Sequence, residues 1–227
     1  MKKKLFYSEI AYILGIIILA FGTALSEKAD FGMSMVVAPA YLVHLKLSEI
    51  VPWFSFGMAE YCLQAVLLVL LSIAMKRFKK MYLFSFVTAV YYGIVLDLLL
   101  MLVGMIPLGG IVGRVIFFVT GVLACSLGVA MLFNTYIAPE AYELVVKEVS
   151  SKLKKDISKT KIVYDCCSCA IAIVMSFIFF GFGHFEGVKY GTVICALVNG
   201  ILIGWFSKLL NRIFEFKDGL KFRKFFE

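Results

Sequence analysis

The feature that most constrains this chain is the recurrence of apolar runs long enough to cross a hydrocarbon layer. A crossing helix needs about 20 mostly apolar residues. Such runs recur near residues 9–25, 57–75, 82–105, 112–133, 162–182 and 190–210. Of the 227 residues, 62% are hydrophobic and 17% charged, against about half and a quarter in soluble domains. The chain therefore reads as an all-α membrane protein with six transmembrane helices. The first run follows Lys2, Lys3 and Lys4 but is too long for the apolar core of a secretory leader. No Ala-x-Ala-like cleavage site follows it before Glu27 and Lys28, so it counts as the first span.

Short loops rich in Lys and Arg stay in the cytoplasm. With the N-terminus inside, residues 2–4, 76–80, 147–161 and 208–224 fall on the cytoplasmic side and hold 19 of the 23 basic residues. Only Lys28, Lys46, Arg114 and Lys189 remain for the other side. The C-terminus is then cytoplasmic as well, and residues 212–227 form a basic tail. The formal charge of +8 is accounted for by this topology and by anionic lipid headgroups beside the loops. Nucleic-acid binding would need a basic face on a soluble fold.

The six cysteines, Cys62, Cys125, Cys166, Cys167, Cys169 and Cys195, all fall inside the predicted spans. Free cysteine packs as a small hydrophobe, and the cluster at 166–169 lacks the spaced pairs and the histidine of a zinc site. Neither a disulfide framework, a metal nor a cofactor is expected.

An internal repeat organises the chain. Gly15 and Gly22 in the first span are seven residues apart, as are Gly121 and Gly128 in the fourth, an offset of 106. Glu60 matches Asp165 at 105, and Gly93 matches Gly200 at 107. The repeats are residues 8–104 and 114–211. Each holds three spans, and three is odd, so the second enters the membrane from the side opposite to the first. Inverted repeats of this kind underlie many secondary transporters.

After the first span of each half comes a segment too short or too polar to cross: residues 31–45 and 138–150. Asp30 is placed to cap the first, with Pro39 following. Asn134 or Thr135 is placed to cap the second, with Pro139 near its first turn. Both segments read as short re-entrant or interfacial helices. If they re-enter, their N-termini bring partial positive charge to the centre of the protein.

The stretch at 30–35 (Asp-Phe-Gly-Met-Ser-Met), the stretch at 138–143 (Ala-Pro-Glu-Ala-Tyr-Glu) and the glycine-containing third spans resemble the YczE/YyaS/YitT-like family of bacterial integral membrane proteins. That family carries a Gly-x-Ser/Gly-Pro-x-Asp-like element once per half. Here Met35 stands where proline is expected, and Ala138 replaces the glycine before Pro139. The resemblance implies a multi-pass protein of the bacterial inner membrane, of transporter type, and names no substrate.

Ionisable groups inside a membrane are costly and tend to be functional. Glu60, Asp97 and Asp165 are therefore the informative residues. Glu60 and Gln64 share a helical face, as do Lys161 and Asp165. Glu60 and Asp165 would form a cation- or proton-binding pair across the repeat, with Lys161 as a salt-bridge gate. The alternative is that both are helix-start carboxylates favoured by the dipole. Glu140 and Glu143, three apart, bind ligand or merely lie on an amphipathic surface helix. Ser34 and Asn199 are further candidates, the latter a hydrogen-bonding partner or helix glue. His44 and His184 are lone interfacial histidines.

No phosphate-binding loop, nucleophile elbow or zinc helix is present, so no enzyme activity is expected. The reading is a small secondary transporter with its substrate or ion site between the halves, and a homodimer is compatible with it. Its rivals are a substrate-binding subunit of a multisubunit vitamin-type transporter, a membrane enzyme acting on lipid or isoprenoid substrates, for which the sequence shows no nucleophile and base pair, and a non-catalytic membrane assembly factor.

Overall fold

The computed structural model describes residues 3–32, 34–181 and 188–220. Eight helices lie among them: α1 (Ser8–Ala29), α2 (Ala38–Ser48), α3 (Phe56–Met75), α4 (Lys80–Gly104), α5 (Gly110–Phe133), α6 (Ala141–Leu153), α7 (Ile157–Phe180) and α8 (Tyr190–Ile213). All but α2 and α6 have 20 to 25 residues and are apolar enough to cross a membrane. At 1.5 Å per residue they span about 30 to 37 Å. Their outward faces carry large apolar side chains, among them Val69, Ile73, Ile94, Met101, Ile116 and Ile178. The chain is a multi-pass integral membrane protein.

Local chemistry sets the ends. Ser55 caps α3, its hydroxyl accepting from the Met58 amide. Asp156 caps α7, accepting from the Ser158 and Lys159 amides. The Asp156 cap starts α7 five residues before the apolar run does, which carries Lys161 into the helix. Asp30 does not cap a following helix: it ends α1 in the left-handed conformation (φ 56°), its amide donating to the Glu27 carbonyl. Asn134 likewise ends α5, and the Thr135 hydroxyl turns back to the Leu132 carbonyl. Two short strands escape the apolar-run reading. β1 (Lys4–Tyr7) and β2 (Phe214–Lys217) pair in parallel and tie the two ends of the chain together. Part of the basic tail is thereby held in place, with Glu9 accepting from the Gly219 and Leu220 amides.

The most extensive contact is α1 against α5. Gly15 abuts Gly128 and Gly22 abuts Gly121, so the helices run antiparallel. A Cβ on Gly22 would lie 2.6 Å from the Cys125 nitrogen and 2.7 Å from the Gly121 oxygen; one on Gly128 would lie 2.7 Å from the Leu19 nitrogen. Only glycine lets the backbones come this close, as small residues do between membrane helices. On either side α1 packs on α4 and α5 on α8, while α3 packs on α4 and α7 on α8. The short helices interlock: α2 touches α3 and α7, and α6 touches the same two.

The α6 helix runs into the bundle. Its C-terminal part lies at the end where α3 stops and α4 begins, Glu148 pairing with Lys79 at 2.5 Å and Arg77 at 3.4 Å. Its N-terminus sits beside Gln64, whose carbonyl accepts the Ala141 amide at 2.9 Å. Gln64 lies 11 residues before Met75, hence about 17 Å deeper. Backbone at that depth needs protein partners for its polar groups. The α4 helix supplies them: Ser85 donates to the Pro139 carbonyl at 2.6 Å and Thr88 to the Ala138 carbonyl at 3.1 Å. The loop ahead of α2 is held similarly, the Phe31 carbonyl accepting from the Gly191 amide at 2.9 Å.

Candidate functional site

The N-terminal approaches of α2 and α6 meet at one cavity near the middle of the bundle. Its volume is about 20 Å³, and its lining includes Ser34, Val36 and Val37 from the α2 side and Glu140, Tyr142 and Glu143 from the α6 side. That is room for about one water molecule. Thr23, Tyr92, Cys125, Lys161 and Asn199 complete the polar wall.

Four carboxylates gather here, each almost fully buried: Glu60 and Asp165 at 0% exposure, Glu140 and Glu143 at 2%. Among the described residues one buried ammonium faces them. Lys161 (1% exposed) lies 3.1 Å from an Asp165 oxygen and 3.3 Å from a Glu143 oxygen. Glu60 accepts from the Tyr142 hydroxyl at 3.0 Å, and Gln64 donates to Glu140 at 3.1 Å and sits 3.5 Å from Glu60. One oxygen each on Glu60, Glu140 and Glu143 has no hydrogen-bond partner among the described residues. A single ammonium cannot balance four ionised carboxylates, and an uncompensated buried charge costs several kcal/mol. The site must therefore hold protons or take up another cation. Glu140 precedes α6 and lies outside the six long helices; burial first, then the negative charges of Glu143 and Glu60, hold its carboxyl well above the usual carboxylate range. Among the described residues no three His, Cys, Asp or Glu side chains converge closely enough to hold a metal ion.

Glu60 and Asp165 do not border the cavity. They stand behind it on α3 and α7, and the α6 carboxylates face the open space between them. Lys161 does reach Asp165, one turn away on α7. Asn199 accepts from Ser126 at 2.6 Å and also borders the cavity, as does Ser34. Asp97 is elsewhere: it accepts from the Ser55 hydroxyl at 2.6 Å and the Gly57 amide at 2.9 Å, bracing the start of α3. His44 packs on Tyr41 and Phe56 and contacts the Phe54 carbonyl at 2.8 Å; His184 lies outside the described residues. Residues missed by sequence reasoning are Tyr142, Tyr92 and Thr23. Tyr92 and Thr23 hydrogen-bond at 2.9 Å in the cavity wall. An aromatic or hydroxyl within an apolar run carries no signal of its own, because lipid-facing and cavity-facing positions take both.

Away from the cavity, both ends of the bundle are tied by ion pairs. Glu148 with Arg77 and Lys79 closes one; Asp30 with Arg114 and Lys189 closes the other.

No curated protein and no solved structure matches the chain. A family model matches residues 6–208, nearly the whole length, and by that match the chain belongs to the family of unknown function DUF6198.

Proposed function

We propose that this protein is a small secondary transporter of the bacterial inner membrane that carries protons or a small cation through the acidic cluster between α3, α6 and α7. The sequence resemblance to YczE/YyaS/YitT-like proteins accords with this reading. The carrying observation is the excess of buried carboxylate over buried ammonium beside a central cavity, with unpartnered oxygens on Glu140 and Glu143. We read the site as carrying its ligand rather than converting it.

Alternating access needs two halves that exchange roles, and the reciprocal contacts support inverted repeats at 8–104 and 114–211. Gly15 meets Gly128 while its counterpart Gly121 meets Gly22, the counterpart of Gly128. The loop ahead of α2 rests on the start of α8, and the loop ahead of α6 rests on α4. Such i-to-j and j-to-i contacts are the signature of a two-fold axis. An axis relating antiparallel spanning helices lies in the membrane plane. The end bearing Lys76, Arg77, Lys79, Lys152 and Lys208 is the cytoplasmic one, where anionic headgroups and the positive-inside rule both place basic residues.

The test is charge movement in proteoliposomes adsorbed on a solid-supported membrane, with pH steps and with Na⁺ or ethylammonium chloride steps as probes. The wild type should give transient currents on a pH step that Glu140→Gln combined with Glu143→Gln reduces at least tenfold. No current above protein-free liposomes, in either step direction, would sink the reading.

A further inference from the structure

Lys161 has a cavity on each side of it. Towards the central space it borders the lining that contains Glu140 and Glu143. Towards the basic end it borders a vestibule of about 270 Å³, walled by Phe133, Ile157, Ser158, Ile203, Gly204 and Ser207. Among the described residues it is the one side chain common to both linings. The vestibule exists because α8 presents glycines: a Cβ on Gly204 would meet only the Ser158 hydroxyl, at 3.3 Å.

We propose that Lys161 is a tethered cationic plug, closing the route from the basic-end vestibule to the central acidic site until a proton or small cation replaces it on Glu143 and Asp165. This rests on the carrier reading and names the gate of that same site. A desolvated ammonium stays buried only while anionic partners compensate it. Neutralising Glu143 or Asp165 removes that compensation, and the flexible four-carbon stem lets the head group swing toward a wetter place. Ser158 and Ser207 line such a place. Lys208, at the rim of the same vestibule, repels the ammonium and keeps it on its carboxylates by default. The plug and the transported cation thus compete for the same oxygens, which prevents an open path with an empty site.

Cys125 is a native reporter, since it borders the central cavity and is 7% exposed. The full chain in sided vesicles is treated with a membrane-impermeant trimethylammonium methanethiosulfonate, and the label on Cys125 is read by mass spectrometry. The charge-balanced pair Glu143→Gln with Lys161→Ala, which removes the stem as well as the charge, should be labelled at least tenfold faster than the parent, from the basic end only. Adding Gly204→Leu, which fills the vestibule, should return the rate to that of the parent. Protection as complete as in the parent, equal labelling from the opposite end, or indifference to Gly204→Leu would each overturn the proposal. Should the pair not fold, the parent decides: between pH 8 and pH 5.5 its Cys125 rate, relative to a reference cysteine introduced at the exposed basic end by Ser151→Cys, should rise at least threefold, and no rise overturns the plug. Loss of pH-driven current with this labelling pattern intact would sink the carrier reading alone.

Discussion

The two short helices hold matching places in the fold and carry different chemistry. Both α2 and α6 pack between α3 and α7, and both bring their N-terminal approach to the central cavity. The α2 approach offers Val36, Val37 and Ser34; the α6 approach offers Glu140 and Glu143, hydrogen-bonded or ion-paired to Gln64 and Lys161. Packing is thus shared, while the charge sits on one side only. On the carrier reading proposed above, the shared packing would serve access from two sides and the single charged arm would set the ligand preference.

The largest effect should come from breaking what the two sides share. Gly22→Leu drives a side chain into the Cys125 and Gly121 backbone, where no rotamer relieves the clash, and overpacking already costs ~1–3 kcal/mol when side chains can yield. No monodisperse folded protein should be recovered by size-exclusion chromatography. Gly15→Ala, with its nearest contacts at 3.2 Å, should still fold.

The charged side comes next. Lys161→Met alone strands Glu143 and Asp165, and removing one partner of a buried pair costs about 3–5 kcal/mol. Lys161→Met with Asp165→Asn should recover at least half of that loss in detergent thermal unfolding. A double variant as unstable as the single would mean that Asp165 is not the main partner.

Glu140 gives a pH signature. A carboxyl whose folded-state pKa lies above its unfolded value, about 4.3, holds its proton more tightly in the folded protein. Its contribution to stability is complete below the unfolded value and declines as pH rises toward the folded one. Thermal stability should therefore fall between pH 5 and pH 8, by ~1.4 kcal/mol for each pH unit in which Glu140 alone is protonated only when folded. Glu140→Gln should lower the slope by up to one proton's share, the other buried carboxylates keeping the rest, whereas Ser34→Ala on the α2 side should leave it unchanged.

The smallest effect belongs to Asp97, which braces α3 at the α2 end. Asp97→Asn keeps the shape and removes the charge, and loss of such a helix-start partner costs about 1 kcal/mol. Stability should drop by that amount with pH-driven current within twofold of wild type. A tenfold loss of current would return Asp97 to the site.

By itself the sequence determined the class of fold, the number of crossings and their approximate bounds, because apolar length is a local property that hydrocarbon thickness selects directly. It also carried the glycine spacing along α1 and α5 and the i,i+4 ion pair of Lys161 and Asp165, since helical periodicity converts spacing into a shared face. Tertiary structure decided the rest. Glu60 and Asp165 stand out as charges in apolar runs, yet whether they face each other depends on what lies between α3 and α7. The occupant is α6, a segment polar enough in sequence to pass for a surface helix. Its burial follows from Ser85, Thr88 and Gln64, which satisfy its backbone at depth from two other helices, and such partnerships span 50 to 77 residues of chain. Asp30, read as the start of one helix, closes another for the same kind of reason: Arg114 and Lys189 meet it only once α5 and α8 have packed beside α1.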